Sequence, residues 1–242
     1  MHPKTILAAV LLALACGFAS AETYQSGKQQ VQLLELYTSE GCSSCPPADR
    51  WLSRQKQNSG LWTQFVPVAF HVAYWDWIGW EDDFASEKYD QRQRNYASTG
   101  AISNIYTPGF LLNGREWRGF FQHQSALPTA KPVQAGNLAL SIDGKTFSAS
   151  FDGKNGRELN IAILGMGLNN KVTRGENRNK TLAHDFVVVG FGSYPVGKHG
   201  WNGRLPMIMH PSDNYAIAAW VTDGTSQQPI QVVGGEYTPE GR

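Results

Sequence analysis

Two thiols set two residues apart, Cys42-Ser43-Ser44-Cys45, are the side chains of this sequence best suited to do chemistry. A cysteine at the start of a helix meets the positive end of the helix dipole and free N–H groups, which lower its thiol pKa. Cys42 is then the attacking thiol, or the sulfur that is attacked in the oxidised pair. Cys45, one turn along, is placed to attack the mixed disulfide and release the product. A structural staple explains the pair less well. Closing so short a loop is worth about 2 kcal/mol, against about 4.7 kcal/mol for a 100-residue loop. Two thiolates alone do not close a zinc site.

The flanking pattern supplies elements able to hold this pair. Residues 31–37 read as a strand apolar on both faces, as in a covered parallel sheet. Residues 46–57 read as a helix whose Pro46 and Pro47 fit the first turn. A second strand is expected over 65–74 and a polar helix over 82–97, anchored by Phe84, Tyr89 and Tyr96. A short strand over 110–112 ends at the Asn113-Gly114 turn signal. Strands alternating with helices imply an α/β layer fold. Beyond Pro128 and Pro132 the texture becomes all-β, with alternating strands expected over 137–142 and 146–151 around Asp143-Gly144-Lys145. Further short strands over 159–168, 183–191, 216–221 and 230–233 make a β-sandwich the economical reading.

Some sixty residues beyond the cysteines stands Tyr106-Thr107-Pro108-Gly109, succeeded by the short strand and Asn113-Gly114. This resembles the segment after the second helix of thioredoxin-like proteins. The resemblance implies a cis Pro108 packed against the disulfide, with Thr107 offering backbone hydrogen bonds to an extended substrate. The alternative is an ordinary trans proline opening an edge strand. A narrower resemblance is carried by the stretch 35–50 (ELYTSEGCSSCPPADR), Phe70-His71-Val72-Ala73-Tyr74-Trp75-Asp76, Gly79-Trp80, Phe84-Ala85-Ser86 and Gln91-Arg92-Gln93. It continues at Arg174-Gly175-Glu176-Asn177 and Thr181-Leu182-Ala183-His184. Together these resemble the secreted thioredoxin-like family catalogued as domain of unknown function 1223. That resemblance implies a thioredoxin-like domain over 22–130 carrying an all-β, sandwich-like part over 131–242, and no assigned substrate. Ala73 stands where an acid is frequent in the family, which argues against a catalytic role at that position.

Other side chains are weaker candidates. By resemblance, Glu35 is a buried acid near the end of the first strand, able to take the proton of Cys45 once desolvation raises its pKa. It also reads as an exposed strand end. His71 faces the same pocket or is a hydrogen-bonded core histidine. Tyr74, Trp75, Trp77 and Trp80 form either a plug between the two parts or a rim that grips a polypeptide, with Trp75 and Trp80 as its contacts. Met207-Ile208-Met209-His210 invites a copper reading, since thioether and imidazole suit that metal, against a core strand bracketed by Pro206 and Pro211. Residues 174–180 read as a solvated polar connection.

Composition sets the class. The 242 residues are 41% apolar and 17% charged, with Lys+Arg 21 against Asp+Glu 20. So even a balance leaves no electrostatic footprint for nucleic acid. Lys4, an apolar run and Ala19-Ser20-Ala21 read as a cleaved secretory signal over 1–21, too short to span a bilayer. A lipoprotein signal acylated at Cys16 is the rival. Cleavage leaves Cys42 and Cys45 as the remaining cysteines, no membrane span, and an oxidising compartment, most naturally the periplasm. The expected function is a secreted thiol–disulfide oxidoreductase of open direction. Its partners are protein thiols and disulfides and a redox protein that resets the site, with no cofactor. The alternatives are a copper-binding protein, using Cys42, Cys45 and His71 or the Met207, Met209 and His210 patch, and a non-catalytic protein-binding module.

Overall fold

The structure is a computed structural model that describes residues 21–124, 126–128 and 132–240. The secretory signal, apart from Ala21, and the acylation alternative at Cys16 lie outside the described residues. Strands β1 (Glu22–Gln25) and β2 (Gln32–Thr38) precede the CxxC turn, which leads into helix α1 (Pro46–Ser53). Next come β3 (Phe65–His71), α2 (Glu87–Ser98), β4 (Gly109–Leu112) and a two-residue β5 (Arg115–Glu116). The hairpin β6 (Leu138–Asp143) and β7 (Thr146–Phe151) is followed by β8 (Glu158–Met166), β9 (Leu168–Lys171) and β10 (Thr181–His184). Strands β11 (Val187–Pro195), β12 (Trp201–Arg204), β13 (Asn214–Thr222) and β14 (Gln231–Tyr237) complete the described chain.

All of β2 and β3 is buried, and the two pair in parallel with Glu35 opposite Val68 and Thr38 opposite His71. On the other edge of β2, β4 runs antiparallel with Phe110 opposite Leu36. Through Val187 opposite Ala69, β11 joins β3, giving an eight-stranded mixed sheet in the order β14-β13-β8-β11-β3-β2-β4-β5. A four-stranded sheet, β1-β6-β7-β12, covers one face of its β8–β13–β14 end, and β9 and β10 form a separate hairpin. The alternation along β13 explains the two cores. Ile217, Ala219 and Val221 pack toward the four-stranded sheet, while Ala216, Ala218 and Trp220 join the core around β2 and β3.

The expected thioredoxin-like α/β domain followed by an all-β part is overturned. Over the described residues the chain is mainly β, in three sheets, and its α-helices there are α1 of eight residues and α2 of twelve. Two such helices cannot cover both faces of a parallel sheet, and strands from beyond residue 150 share that sheet instead. Local reasons are visible. The buried Asp82 carboxylate takes the N–H groups of Phe84 and Glu40 and so holds residues 82–86 out of the helix. Ser86 then caps α2 by accepting from the Lys88 N–H. The strand expected over 183–191 is broken at Phe186, whose φ is +60°, a conformation that nothing in a bulky residue's type announces.

Candidate functional site

Cys42 and Cys45 form a disulfide with Cα atoms 5.4 Å apart, an ordinary span for such a bridge. They are 1% and 0% exposed, whereas Ser43 and Ser44 between them lie at the surface. The turn is tied by Cys42 N–H to the Ser39 carbonyl and Cys45 N–H to the Cys42 carbonyl. At the start of α1, Pro46 and Pro47 have no N–H to offer, and the N–H groups of Ala48 and Asp49 both donate to the Cys45 carbonyl. The first helical turn therefore has no free N–H for a Cys42 thiolate. The donor at hand is the Ser44 hydroxyl, whose Oγ lies 3.3 Å from Cys42 Sγ.

One turn beneath the disulfide lies a buried cluster of carboxylates and imidazoles. Asp49, four residues after Cys45, shares its helix face, where i and i+4 side chains are neighbours. Its Oδ1 accepts the Thr38 hydroxyl at 2.9 Å, and its Oδ2 is 3.9 Å from His184 Nδ1. His184 Nε2 meets Glu40 Oε1 at 3.1 Å, and His71 Nδ1 meets Asp82 Oδ2 at 2.7 Å. The two imidazole rings stand edge to face, 5.0 Å apart. Burial pulls the His71 pKa down, but the Asp82 carboxylate more than reverses this and leaves it above 6.5. Asp82 falls below the ordinary carboxylate range: burial opposes its charge, and His71 and two N–H groups outweigh the burial. Asp49 is pushed up by burial, which His184, His71 and the Thr38 hydroxyl only partly offset. Among the described residues, His71 Nε2 and His184 Nδ1 have no hydrogen-bond partner.

Glu35 lies elsewhere. A strand sends alternate residues to opposite faces, and Thr38 on β2 faces α1, so Glu35 and Tyr37 face α2. There Glu35 accepts from Arg92 Nε at 2.9 Å, from the Tyr96 hydroxyl at 2.7 Å and from the Tyr37 hydroxyl at 3.1 Å. His71, paired with Thr38, is on the α1 face with Asp49. The structure thus brings His71 to the site and takes Glu35 to the opposite side of the sheet.

The Thr107–Pro108 peptide is cis, as expected. Trp75 ties it to the CxxC turn: its Nε1 donates to Thr107 Oγ1 at 2.6 Å, and its Cβ lies 3.0 Å from where a side chain on Gly41 would begin. Trp80 donates from Nε1 to Glu40 Oε2 at 2.9 Å. Trp77 is not part of a plug, being 82% exposed. The core strand expected over 207–210 is absent too: this segment is irregular, with Met207 and Met209 exposed and the His210 ring against Phe84. Among the described residues, no group of three or more His, Cys, Asp or Glu converges in a way that would hold a metal ion. Cys42 and Cys45 are bonded to each other, and His71 Nδ1 is engaged by Asp82, which leaves Nε2 as its ring nitrogen without a partner.

Several residues of the site were not singled out in the sequence. Asp49 was readable, since four residues after Cys45 on a helix is a neighbour. The hairpin β9–β10 was not. It contributes Asn170, donating to Glu40, and His184. Its connecting loop, read as solvated, places Glu176 Oε2 3.1 Å from Ser43 N and the fully buried Asn177 amide on the carbonyls of Glu40 and Cys42.

A family model described as "Protein of unknown function (DUF1223)" matches residues 33–222. No curated protein matches. Among solved structures, protein AGR_C_4864 from Agrobacterium tumefaciens is similar at 21% identity and a TM-score of 0.56, over 88% of this chain and 96% of that one. HBP35 of Porphyromonas gingivalis is similar at 10% identity and a TM-score of 0.54, over 88% of this chain and 78% of that one. At such identities the likeness is one of fold.

Proposed function

Because the chain belongs to the DUF1223 family, whose description names no activity, we propose from the site itself that it is a thiol–disulfide oxidoreductase acting through Cys42 and Cys45. The observation that carries this reading is a disulfide closing a two-residue loop at a strand-to-helix junction, one helical turn from a buried acid with a raised pKa. A bridge over so short a loop adds little to the stability of a large core, whereas exchange chemistry uses each neighbour it has.

In the proposed reaction a partner thiolate attacks Cys42 Sγ. A bond forms between the partner sulfur and Cys42, the Cys42–Cys45 bond breaks, and Cys45 leaves as a thiolate. Asp49, whose pKa burial raises, is the acid one turn away that would supply the proton. A second partner thiolate then attacks the partner sulfur of the mixed disulfide. Cys42 leaves as a thiolate that the Ser44 hydroxyl can stabilise, and the partner ends oxidised while both site cysteines are reduced. Run backward, the same steps reduce a partner disulfide. Thr107 and Pro108, held through Trp75, and the flanking Trp80 are proposed to seat the partner chain. Trp77, 82% exposed on the same turn, extends that surface. An oxidising compartment outside the cytoplasm, which the leader reading of residues 1–21 favours, suits such a couple.

The test is a redox titration of the purified protein against glutathione. The reading expects a potential between about −270 and about −120 mV, and a value below about −300 mV would mark a structural bridge and defeat it. A Cys45→Ser variant should hold a cysteine peptide as a stable mixed disulfide at Cys42.

A further inference from the structure

A segment from the far half of the chain is bonded to the CxxC turn. Between β9 and β10 the loop is shaped by its own hydrogen bonds: Val172 N–H to the Lys180 carbonyl, Asn179 N–H to the Val172 carbonyl, and Arg178 N–H to the Gly175 carbonyl. Gly175 (φ +70°) and Asn179 (φ +66°) supply its left-handed corners. At Gly175 the loop runs so close to the CxxC flank that an added side chain would begin 3.2 Å from Trp80 Cβ. Asn177, 0% exposed, donates from Nδ2 to the Glu40 carbonyl at 2.8 Å and to the Cys42 carbonyl at 2.9 Å, and Lys180 Nζ donates to its Oδ1 at 2.9 Å. Glu176 adds its carboxylate to the Ser43 N–H.

A nucleophile must reach a disulfide sulfur nearly in line with the S–S bond, yet Cys42 is 1% exposed with this loop in place. Hydrogen bonds to Ser43 hold Glu176 below the ordinary carboxylate range, so it is an anion at neutral pH, one residue from Cys42. An anion there opposes a thiolate on Cys42.

We propose that the β9–β10 loop is a latch on the CxxC turn, with Glu176 and Asn177 as positioning residues that keep Cys42 covered and its thiolate disfavoured until the loop is displaced. The proposal deepens the oxidoreductase reading and rests on it only for the consequence in turnover; the covering itself is measured without a protein partner. An incoming polypeptide carbonyl is the group that would replace Glu176 at the Ser43 N–H, so a partner that binds the turn also opens it.

The experiment uses a neutral phosphine, which attacks a disulfide sulfur, forms a P–S bond, expels the other cysteine as a thiolate and is hydrolysed by water to the phosphine oxide. Its rate constant is measured on the oxidised full chain below the thermal transition, beside the pH profile of Cys42 alkylation in the reduced chain. Glu176→Ala should be reduced roughly tenfold faster than the wild type, the scale of one lost hydrogen bond. Glu176→Gln should restore the slow reduction, because it keeps an acceptor, while still moving the Cys42 alkylation profile to lower pH. A merely structural role would leave that profile in place. Asn177→Ala should be faster still, and if it fails to fold, the surface variant Glu176→Ala carries the test alone. Wild-type reduction rates in a folded Glu176→Ala protein would overturn the latch. Accelerated reduction together with a potential below about −300 mV would keep the latch and defeat the oxidoreductase.

Discussion

Replacing Glu35 by Gln separates a proton-transfer role from a structural one, because the two predict changes in different measurements. In the structure Glu35 is fully buried and answers Arg92, itself buried, through a 2.9 Å contact on the face of the sheet away from α1. Removing one partner of a buried ion pair costs about 3–5 kcal/mol, mainly through the charge left behind. Two features place this case at the lower end. Gln retains an acceptor for Tyr96, and four aromatic rings approach the guanidinium carbon, at 5.1 Å for Phe70, 5.3 Å for Trp220, 5.4 Å for Tyr96 and 5.9 Å for Phe191. Such rings attract a cation and soften its isolation. A loss of about 3 kcal/mol is expected. For a chain of this length each kcal/mol moves the thermal midpoint by about 2–4 °C, so calorimetry of the oxidised protein should record a fall of about 6–12 °C. The potential of the Cys42–Cys45 couple should meanwhile stay within about 10 mV of wild type, since 30 mV already corresponds to about 1.4 kcal/mol at the disulfide. A midpoint lowered by less than about 2 °C, or a potential moved by about 30 mV or more, would refute this reasoning and return Glu35 to the redox site.

Two further outcomes are expected at the site. With no free N–H in the first turn of α1, Ser44→Ala removes the donor nearest Cys42. A hydrogen bond to a charged group is worth about 1.5–3 kcal/mol, so the Cys42 thiol pKa should rise by about one unit or more, read from the pH dependence of iodoacetamide alkylation; no rise would mean that the thiolate is held by something else. For His71 the folded-state pKa is raised above 6.5, so the folded protein holds that proton more tightly than the unfolded chain. Its stabilising contribution is complete below pH 6.5 and is lost as pH rises through the raised value. Urea midpoints from about pH 6 to about pH 9 should therefore fall in the wild type and fall less in His71→Gln; equal slopes would contradict the His71–Asp82 pairing.

The sequence made the centre of the site legible and hid its surroundings, for physical reasons that differ from residue to residue. Cysteine spacing, a doubly apolar strand and two prolines at a helix start are local signals, and β2, the CxxC turn and α1 lie where those signals put them. Thr107–Pro108 was legible through resemblance. For Glu35 the strand was right and the face was wrong: period-two alternation says that residues 35 and 38 point opposite ways, but not which face α1 will cover. Only the Thr38–Asp49 bond decides it. Asn177 is the reverse case, a polar residue in a polar loop whose burial comes from carbonyls 135 or more residues away in sequence. The alternation of expected strands and helices over 31–121 also favoured α/β architecture, and no local signal in it announces that strands from beyond residue 150 join the same sheet.

The buried carboxylate one turn from the disulfide acquires a reason on the proposed mechanism. A thiolate on Cys45, which is 0% exposed, would be a buried charge with a heavy desolvation penalty. Proton transfer from Asp49 removes that charge from sulfur and places it on a carboxylate already bonded to the Thr38 hydroxyl. His184 Nδ1, 3.9 Å from Asp49 Oδ2, faces that carboxylate from β10. The His184 ring lies between Asp49 and Glu40, with one nitrogen facing each. On that mechanism the charge released when the disulfide opens moves from a buried sulfur to a carboxylate that already has a hydrogen-bond donor and an imidazole beside it, which lowers the free energy of the reduced form.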